Sequence, residues 1–244
     1  MSKDLFSGHS KEYSAFRPTY PPALYNFMSK QLNRRDAAWD CGCGNGQVAK
    51  DLADKFDKVY ATDSSANQIE NAIKKKNIIY SVAPAEKTSF ADQQFDLVTV
   101  GQALHWFDIP AFFKEARRVL KPGGAIAVWG YGLLTIDKRI DELINHFYTS
   151  VIGPYWDKER RLVDDRYRTI EFPFTRVDVP PFEFSFDWTV DELQGYLTTW
   201  SAVQKYIKQN HSNPVDALIV DIRPLWGNDR KKVSFPLFIR MGKV

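Results

Sequence analysis

The densest chemistry in the chain sits in Ala37-Ala38-Trp39-Asp40-Cys41-Gly42-Cys43-Gly44-Asn45-Gly46. A short apolar run ends in an acid, and three glycines follow at alternate positions. Helically spaced Gln47–Phe56 comes next, so the stretch reads as strand, tight turn, helix. Glycines at such a turn admit φ > 0 and let a ligand approach the backbone closely. The helix start then offers unpaired N–H groups. The arrangement suits a nucleoside-containing cofactor. It departs from the G-x-G-x-x-G dinucleotide fingerprint, which argues against a nicotinamide oxidoreductase. An acid just before the turn would repel a pyrophosphate and favours a cofactor with cationic or amine groups, such as a sulfonium amino acid. Asp63 ends the next apolar run, Lys58–Thr62, where a carboxylate can accept both hydroxyls of a ribose. Ala83-Pro84-Ala85-Glu86 follows a third run and can offer amides and a side chain to an adenine edge. Gln102-Ala103-Leu104-His105-Trp106-Phe107-Asp108 follows a fourth, and Trp129-Gly130-Tyr131 closes a fifth. Ligands of open α/β sheets bind outside the carboxyl ends of strands, which is where His105 and Trp106 fall.

The elements that must position these residues can be traced along the chain. Residues 1–22 form an aromatic, proline-rich arm with His9, Tyr13, Phe16, Arg17 and Tyr20. Ala23–Asn33 has helical spacing. Strands are expected at Ala37–Cys41, Lys58–Thr62, Asn77–Val82, Phe95–Val100 and Ala125–Trp129. The helices between them are Ala66–Lys75, which Ser64-Ser65 can cap, and Ile109–Leu120, which Lys121-Pro122-Gly123-Gly124 stops. This alternation predicts a parallel sheet with helices on both faces. Beyond it, Ile136–Ile152 reads as a helix, residues 157–180 as charged and irregular, and Phe182–Trp188 as an alternating strand. Thr189-Val190-Asp191-Glu192 resembles a capping box opening a helix to about Lys208. A helix over Val215–Leu225 and a strand over Val233–Met241 close the same sheet. The reading is one domain over 1–244. Its parts are an arm and helix at 1–35, a cofactor core at 36–130, an insertion at 131–180 and a closing strand-helix-strand at 181–244.

Composition narrows the partners. The 244 residues carry 33 Lys and Arg against 30 Asp and Glu, a net charge of +3 that is too weak to suggest nucleic acid. The short basic clusters, Arg117-Arg118 and Arg160-Arg161 among them, are expected on solvated faces. The two cysteines, Cys41 and Cys43, are too close for a good disulfide and too few for a four-thiolate zinc site, so no metal is expected. They point to a reducing compartment, and cytoplasmic localisation is the expectation. The first residues lack the apolar core of a signal peptide, and no run is long enough to span a membrane.

Taken together, Asp40-Cys41-Gly42-Cys43-Gly44-Asn45-Gly46, Asp63, Phe95-Asp96-Leu97-Val98 and Leu120-Lys121-Pro122-Gly123-Gly124 resemble the class I S-adenosylmethionine-dependent methyltransferases. Tyr13 with Arg17-Pro18-Thr19-Tyr20-Pro21, His105-Trp106-Phe107-Asp108, Trp129-Gly130-Tyr131, Gly153-Pro154-Tyr155-Trp156 and Thr199-Trp200-Ser201-Ala202 resemble the trans-aconitate methyltransferase group, whose members methylate small carboxylic acids. The chain is shorter than the fungal members between Trp156 and Trp188. The resemblance implies a Rossmann-like seven-stranded sheet of order 3-2-1-4-5-7-6, last strand antiparallel, with helices on both faces. It implies S-adenosyl-L-methionine as cofactor, with Gly42 and Gly44 against its methionine part, Asp63 on the ribose, Ala85-Glu86 by the adenine and Gln102 near the donor methyl. Tyr13, Arg17, Asp40, Cys43 and Ser64 complete the expected cofactor set. The same resemblance implies that the arm and helix at 1–35 are a lid and that the insertion at 131–180 shapes an acceptor pocket. Arg17, His105, Trp106 and Tyr131 are the candidates for the acceptor, a small carboxylic acid. The alternatives are a phenol or amine acceptor, with His105 as base, a nucleic-acid or protein acceptor, and a cofactor-binding protein without catalysis.

Overall fold

The computed structural model describes residues 17–244. Nine strands and nine α-helices follow among them. The first half alternates as the apolar spacing requires: α1 Pro22–Lys30, β1 Ala37–Cys41, α2 Gln47–Leu52, β2 Lys58–Asp63, α3 Ala66–Glu70, β3 Ile78–Val82, β4 Phe95–Gly101, α4 Ile109–Val119 and β5 Leu120–Tyr131. The second half holds α5 Lys138–His146, α6 Arg160–Asp164, β6 Thr175–Val177, β7 Ser185–Trp188, α7 Val190–Thr198, α8 Ser201–Asn210, α9 Pro214–Trp226, β8 Lys231–Ser234 and β9 Leu237–Lys243.

Seven strands make one sheet of order β3-β2-β1-β4-β5-β9-β6. The first five run parallel, and β9 runs antiparallel between β5 and β6. Counting only the strands of this sheet, that is the expected order with its antiparallel last strand. Strands β1 and β4 are buried along almost their whole length, as a parallel sheet covered on both faces demands. Two apolar clusters lie on its two faces, one around Trp39, Phe95 and Phe112, the other around Leu24, Leu52 and Trp129. The carboxyl ends of β1, β2, β4 and β5 therefore deliver Asp40, Asp63, Gln102 and Tyr131 to one edge.

Several expectations are corrected. The alternating Phe182–Trp188 stretch is a strand, but not the sixth of the main sheet. Its Ser185–Trp188 pairs with Lys231–Ser234 in a separate two-stranded ladder. Alternation reports one buried face and says nothing about which strand lies alongside. The sixth strand is the short Thr175–Val177, inside the stretch expected to be irregular, which also contains α6. The closing strand is divided at Phe235-Pro236, because proline has no N–H for a ladder. The helix expected from Thr189 to Lys208 starts with the anticipated capping box but breaks at Thr199-Trp200. There Thr198 and Thr199 hydroxyls donate to the carbonyls of Gln194 and Tyr196, at 2.9 and 2.6 Å. The helix from Ile136 is shorter than expected and passes into a wide π-type turn, Phe147–Val151. The helix after Ser65 stops at Glu70. Leu120 turns straight from helix into strand, so Lys121–Gly124 lies within β5 beside a register shift.

Candidate active site

All three glycines of the 40–46 turn have left-handed backbones, with φ of 67° at Gly42, 52° at Gly44 and 83° at Gly46. Their surroundings differ. A Cβ on Gly42 would sit 2.7 Å from the Ala103 Cβ, and one on Gly46 would fall on the Tyr80 hydroxyl. Over Gly44 nothing lies nearer than Gln68 Oε1 at 4.0 Å. Gly42 and Gly46 are thus required by packing, and Gly44 leaves the open passage. Cys43 N–H donates to the Thr62 carbonyl (3.0 Å), tying the turn to β2. Both cysteines are free and buried, and burial pushes their thiols up, away from the reactive thiolate form.

Asp40 is buried at the carboxyl end of β1. Its Oδ1 accepts from Thr99 Oγ1 at 2.9 Å, while Oδ2 is buried without a hydrogen bond. Burial, with a contribution from the Asp63 charge, raises its carboxyl to about 7. Gln68 Oε1 is a second buried acceptor without a donor. Asp63 is fixed at the end of β2, where Oδ2 accepts from Gly44 N–H and Oδ1 from Ser65 N–H, each at 2.9 Å. Ser64 beside it is exposed. Ala85 is buried in the apolar cluster under the sheet, and Glu86 Oε1 accepts from Asp108 N–H at 2.9 Å, joining the loop after β3 to the start of α4. Gln102 takes the left-handed conformation (φ 55°) and bridges β4 to β5. Its Oε1 accepts from Tyr131 N–H at 2.8 Å, and its Nε2 donates to the Tyr131 carbonyl at 3.4 Å. That amide and the Phe238 ring, each 2.6 Å from a Cβ at 130, occupy the place a side chain there would need, so position 130 is glycine.

Buried acceptors without donors beside an open glycine are what an incoming ligand with an ammonium group and sugar hydroxyls would satisfy. Asp40, Gly44, Asp63 and Gln68 therefore fit S-adenosylmethionine.

On the far side of Gln102 the second half of the chain builds an aromatic wall. Arg17 Nη1 donates to the Tyr131 hydroxyl (3.0 Å) and Nη2 to the Thr199 carbonyl (3.2 Å), with the guanidinium 5.7 Å from the Tyr196 ring. The break between α7 and α8 exposes that carbonyl. Trp200 continues the wall to Trp156 and Tyr148. The Arg160 guanidinium lies 5.0 Å from the Trp156 ring, and its Nε donates to the Tyr148 hydroxyl at 2.8 Å and to Asp164 at 3.3 Å. Its charge reaches Tyr196 and His105. His105, in a short turn at Leu104–Trp106, is buried with its ring tilted against Trp106 at 4.7 Å. Its Nδ1 lies 3.0 Å from the Tyr167 hydroxyl. Burial, helped by Arg160, lowers the imidazole to about 3.

The expected residues thus gather at one edge, except Tyr13, which lies outside the described residues. The Arg160-Arg161 pair corrects the expectation of a solvated face. Arg161 is 88% exposed, whereas Arg160 is only 20% exposed and belongs to the wall. Gln68, Tyr148, Tyr167 and Tyr196 also escaped sequence reasoning. The Gly153-Pro154-Tyr155-Trp156 and Thr199-Trp200-Ser201-Ala202 runs were the sequence signals for the aromatic wall. Among the described residues no cluster of His, Cys, Asp and Glu could hold a metal, and no helix is long and apolar enough to cross a membrane.

A doubly covered α/β sheet with an acid-glycine turn and a second acid, Asp63, at its carboxyl edge fits the class of nucleoside-cofactor enzymes. Similarity to known proteins sharpens this. A family model described as a methyltransferase domain matches residues 39–128. A Dictyostelium discoideum protein provisionally named a methyltransferase is 32% identical, covering 98% of this chain and 95% of its own. A Saccharomyces cerevisiae protein, provisionally named an S-adenosylmethionine-dependent methyltransferase, is 24% identical, covering 96% and 89%. The solved structure of a provisionally named type II methyltransferase from Anaeromyxobacter dehalogenans superposes with a TM-score of 0.86 at 37% identity, covering 93% of this chain and 98% of that one. The chain belongs to the class I S-adenosylmethionine-dependent methyltransferases, and its cofactor is S-adenosylmethionine.

Proposed function

We propose that this methyltransferase O-methylates a small-molecule carboxylic acid. The observation that carries the reading is the pair of guanidinium groups, Arg17 and Arg160, set on an aromatic wall around Tyr196 beside a His105 too weakly basic to take a proton. When bound, the cofactor supplies a methyl group on a positively charged sulfur. A carboxylate oxygen contributes the electron pair of the new C–O bond, the pair of the broken C–S bond stays on sulfur, and no proton has to move. A carboxylate is already ionised at pH 7, so the chain's task is to hold it and exclude water. Arginine suits that task through its paired N–H groups. A phenol or amine would have to lose a proton, and an imidazole near 3 cannot accept it at neutral pH. In this reading residues 131–180 shape the acceptor pocket. The partner is a free small molecule, with neither nucleic acid nor membrane involved. The two free cysteines suit a cytoplasmic setting.

The test is a panel of mono-, di- and tricarboxylic acids incubated with the enzyme and methyl-labelled S-adenosylmethionine. Label is expected in base-labile methyl esters. Label appearing only in phenols or amines would overturn the proposal.

A further inference from the structure

Tyr167 is fully buried, and its hydroxyl lies 3.0 Å from His105 Nδ1, the one side-chain acceptor within its reach. A buried phenol O–H needs an acceptor. If Nδ1 instead carried the ring proton, the phenol proton would have nowhere to go, and leaving a buried donor unsatisfied is costly. The O–H therefore donates, Nδ1 is the lone-pair nitrogen, and a neutral ring must place its proton on Nε2. Nε2 makes no hydrogen bond among the described residues and is not among the enclosed, unpartnered atoms, so it reaches open space. Burial keeps the Tyr167 proton in place by raising the phenol well above its ordinary value.

The backbone singles out the same residue. Arg166 and Tyr167 are consecutive non-glycine residues in the left-handed region, with φ of 54° and 55°. Such strain persists only where surrounding contacts over-determine it, and it clusters at functional positions. Here Arg240, on β9, supplies them. Its Nη1 donates to the carbonyls of Tyr167 and Ile170 at 2.8 and 2.6 Å. The Tyr167 ring is packed edge-on against Phe238. The one charged group felt at His105 is Arg160, also on the inserted segment, and it opposes protonation of the ring.

We propose that Tyr167 is a positioning residue that locks His105 in its Nε2–H tautomer, so that His105 acts as a neutral hydrogen-bond donor to the acceptor rather than as a base. The direction of that hydrogen bond toward an acceptor oxygen rests on the carboxylic acid reading. The tautomer does not. A carboxylate would take one bond from Nε2–H while the arginines neutralise its charge, and no proton would change hands.

Two experiments decide it. In protein labelled with ¹⁵N-histidine, long-range ¹H–¹⁵N spectra distinguish the tautomers, with His105 assigned by its loss in His105→Gln. The expected pattern is a protonated Nε2 and a bare Nδ1, unchanged between pH 5 and 8. A proton on Nδ1, or a titration in that range, would overturn the inference. Tyr167→Phe, which keeps the ring packing, should bring in the Nδ1–H form. With an acid that turns over it should lower kcat/KM about tenfold, leaving S-adenosylhomocysteine affinity unchanged. His105→Gln, which keeps an N–H donor, should retain at least tenfold more activity than His105→Leu, whereas a base would be lost equally in both. If no acid turns over, the ring assignment still stands or falls alone.

Discussion

Replacing Gly44 and Gly46 separately by alanine should have opposite consequences, although both are glycines of one turn. Both have left-handed backbones, and an L-residue there costs about 1–2 kcal/mol. For Gly44→Ala that is the whole structural cost, because the new methyl enters open space. In a chain of this size about 1 kcal/mol lowers Tm by roughly 2–4 °C. A fall of a few degrees is therefore expected. The same methyl stands in the cofactor passage, so affinity for S-adenosylhomocysteine should drop at least about 100-fold, equivalent to about 2.8 kcal/mol. For Gly46→Ala the methyl meets the Tyr80 hydroxyl, which donates to the Ile73 carbonyl at 2.7 Å. Overpacking adds about 1–3 kcal/mol and the displaced hydrogen bond about 1 kcal/mol. The total loss should be about 3–6 kcal/mol with the left-handed backbone included, while affinity of the folded fraction stays within about tenfold, under about 1.4 kcal/mol. Calorimetric unfolding and isothermal titration read the two quantities. In a Tyr80→Phe background the Gly46→Ala loss should shrink, because the clashing oxygen is gone. If Gly44→Ala binds normally, or if Gly46→Ala unfolds no earlier than Gly44→Ala, the assignment of one glycine to the ligand and the other to packing is wrong.

Arg160→Leu should raise the acceptor KM roughly 10- to 100-fold, the scale of losing a hydrogen bond to a charged group, with S-adenosylhomocysteine affinity unchanged by titration. Asp40 gives a pH signature. Its folded carboxyl, near 7, lies above its unfolded value, so the native state binds more protons between about 4 and 7 and stability from this group falls as pH rises through that window. Asp40→Asn should flatten the difference in chemical-denaturation stability between pH 5 and 8, and an identical slope in both proteins would remove Asp40 as its source. At the opposite edge of the sheet, Lys121 Nζ lies 2.9 Å from buried Asp96, whose other oxygen accepts from Ala37 N–H. Lys121→Met should destabilise by roughly 3 kcal/mol, because it strands a buried charge. Kinetic constants of the folded enzyme should not move.

The sequence by itself determined the parts whose signal is local. Five strands and the helices between them follow from apolar spacing. The capping box at Thr189 to Glu192 and the acid-glycine turn follow from residue type, because left-handed turns and helix starts are settled within a few residues. The strand order was legible through the resemblance, and the places of Asp40, Gly44 and Asp63 at the carboxyl edge were legible because they follow the ends of apolar runs. Tertiary structure alone decided the rest. Phe182–Trp188 alternates correctly yet pairs with Lys231–Ser234, since alternation carries no partner. Arg160 and Arg161 are identical in type and adjacent, and only the packing of Trp156 and Tyr148 separates the half-buried cation from the solvated one. His105 looked like a candidate base until burial, Arg160 and the Tyr167 hydroxyl surrounded it. The strand pairing and the His105 contacts join residues far apart in the chain, and a charge or proton in a protein is governed by what surrounds it in space, which residue type and spacing alone do not record.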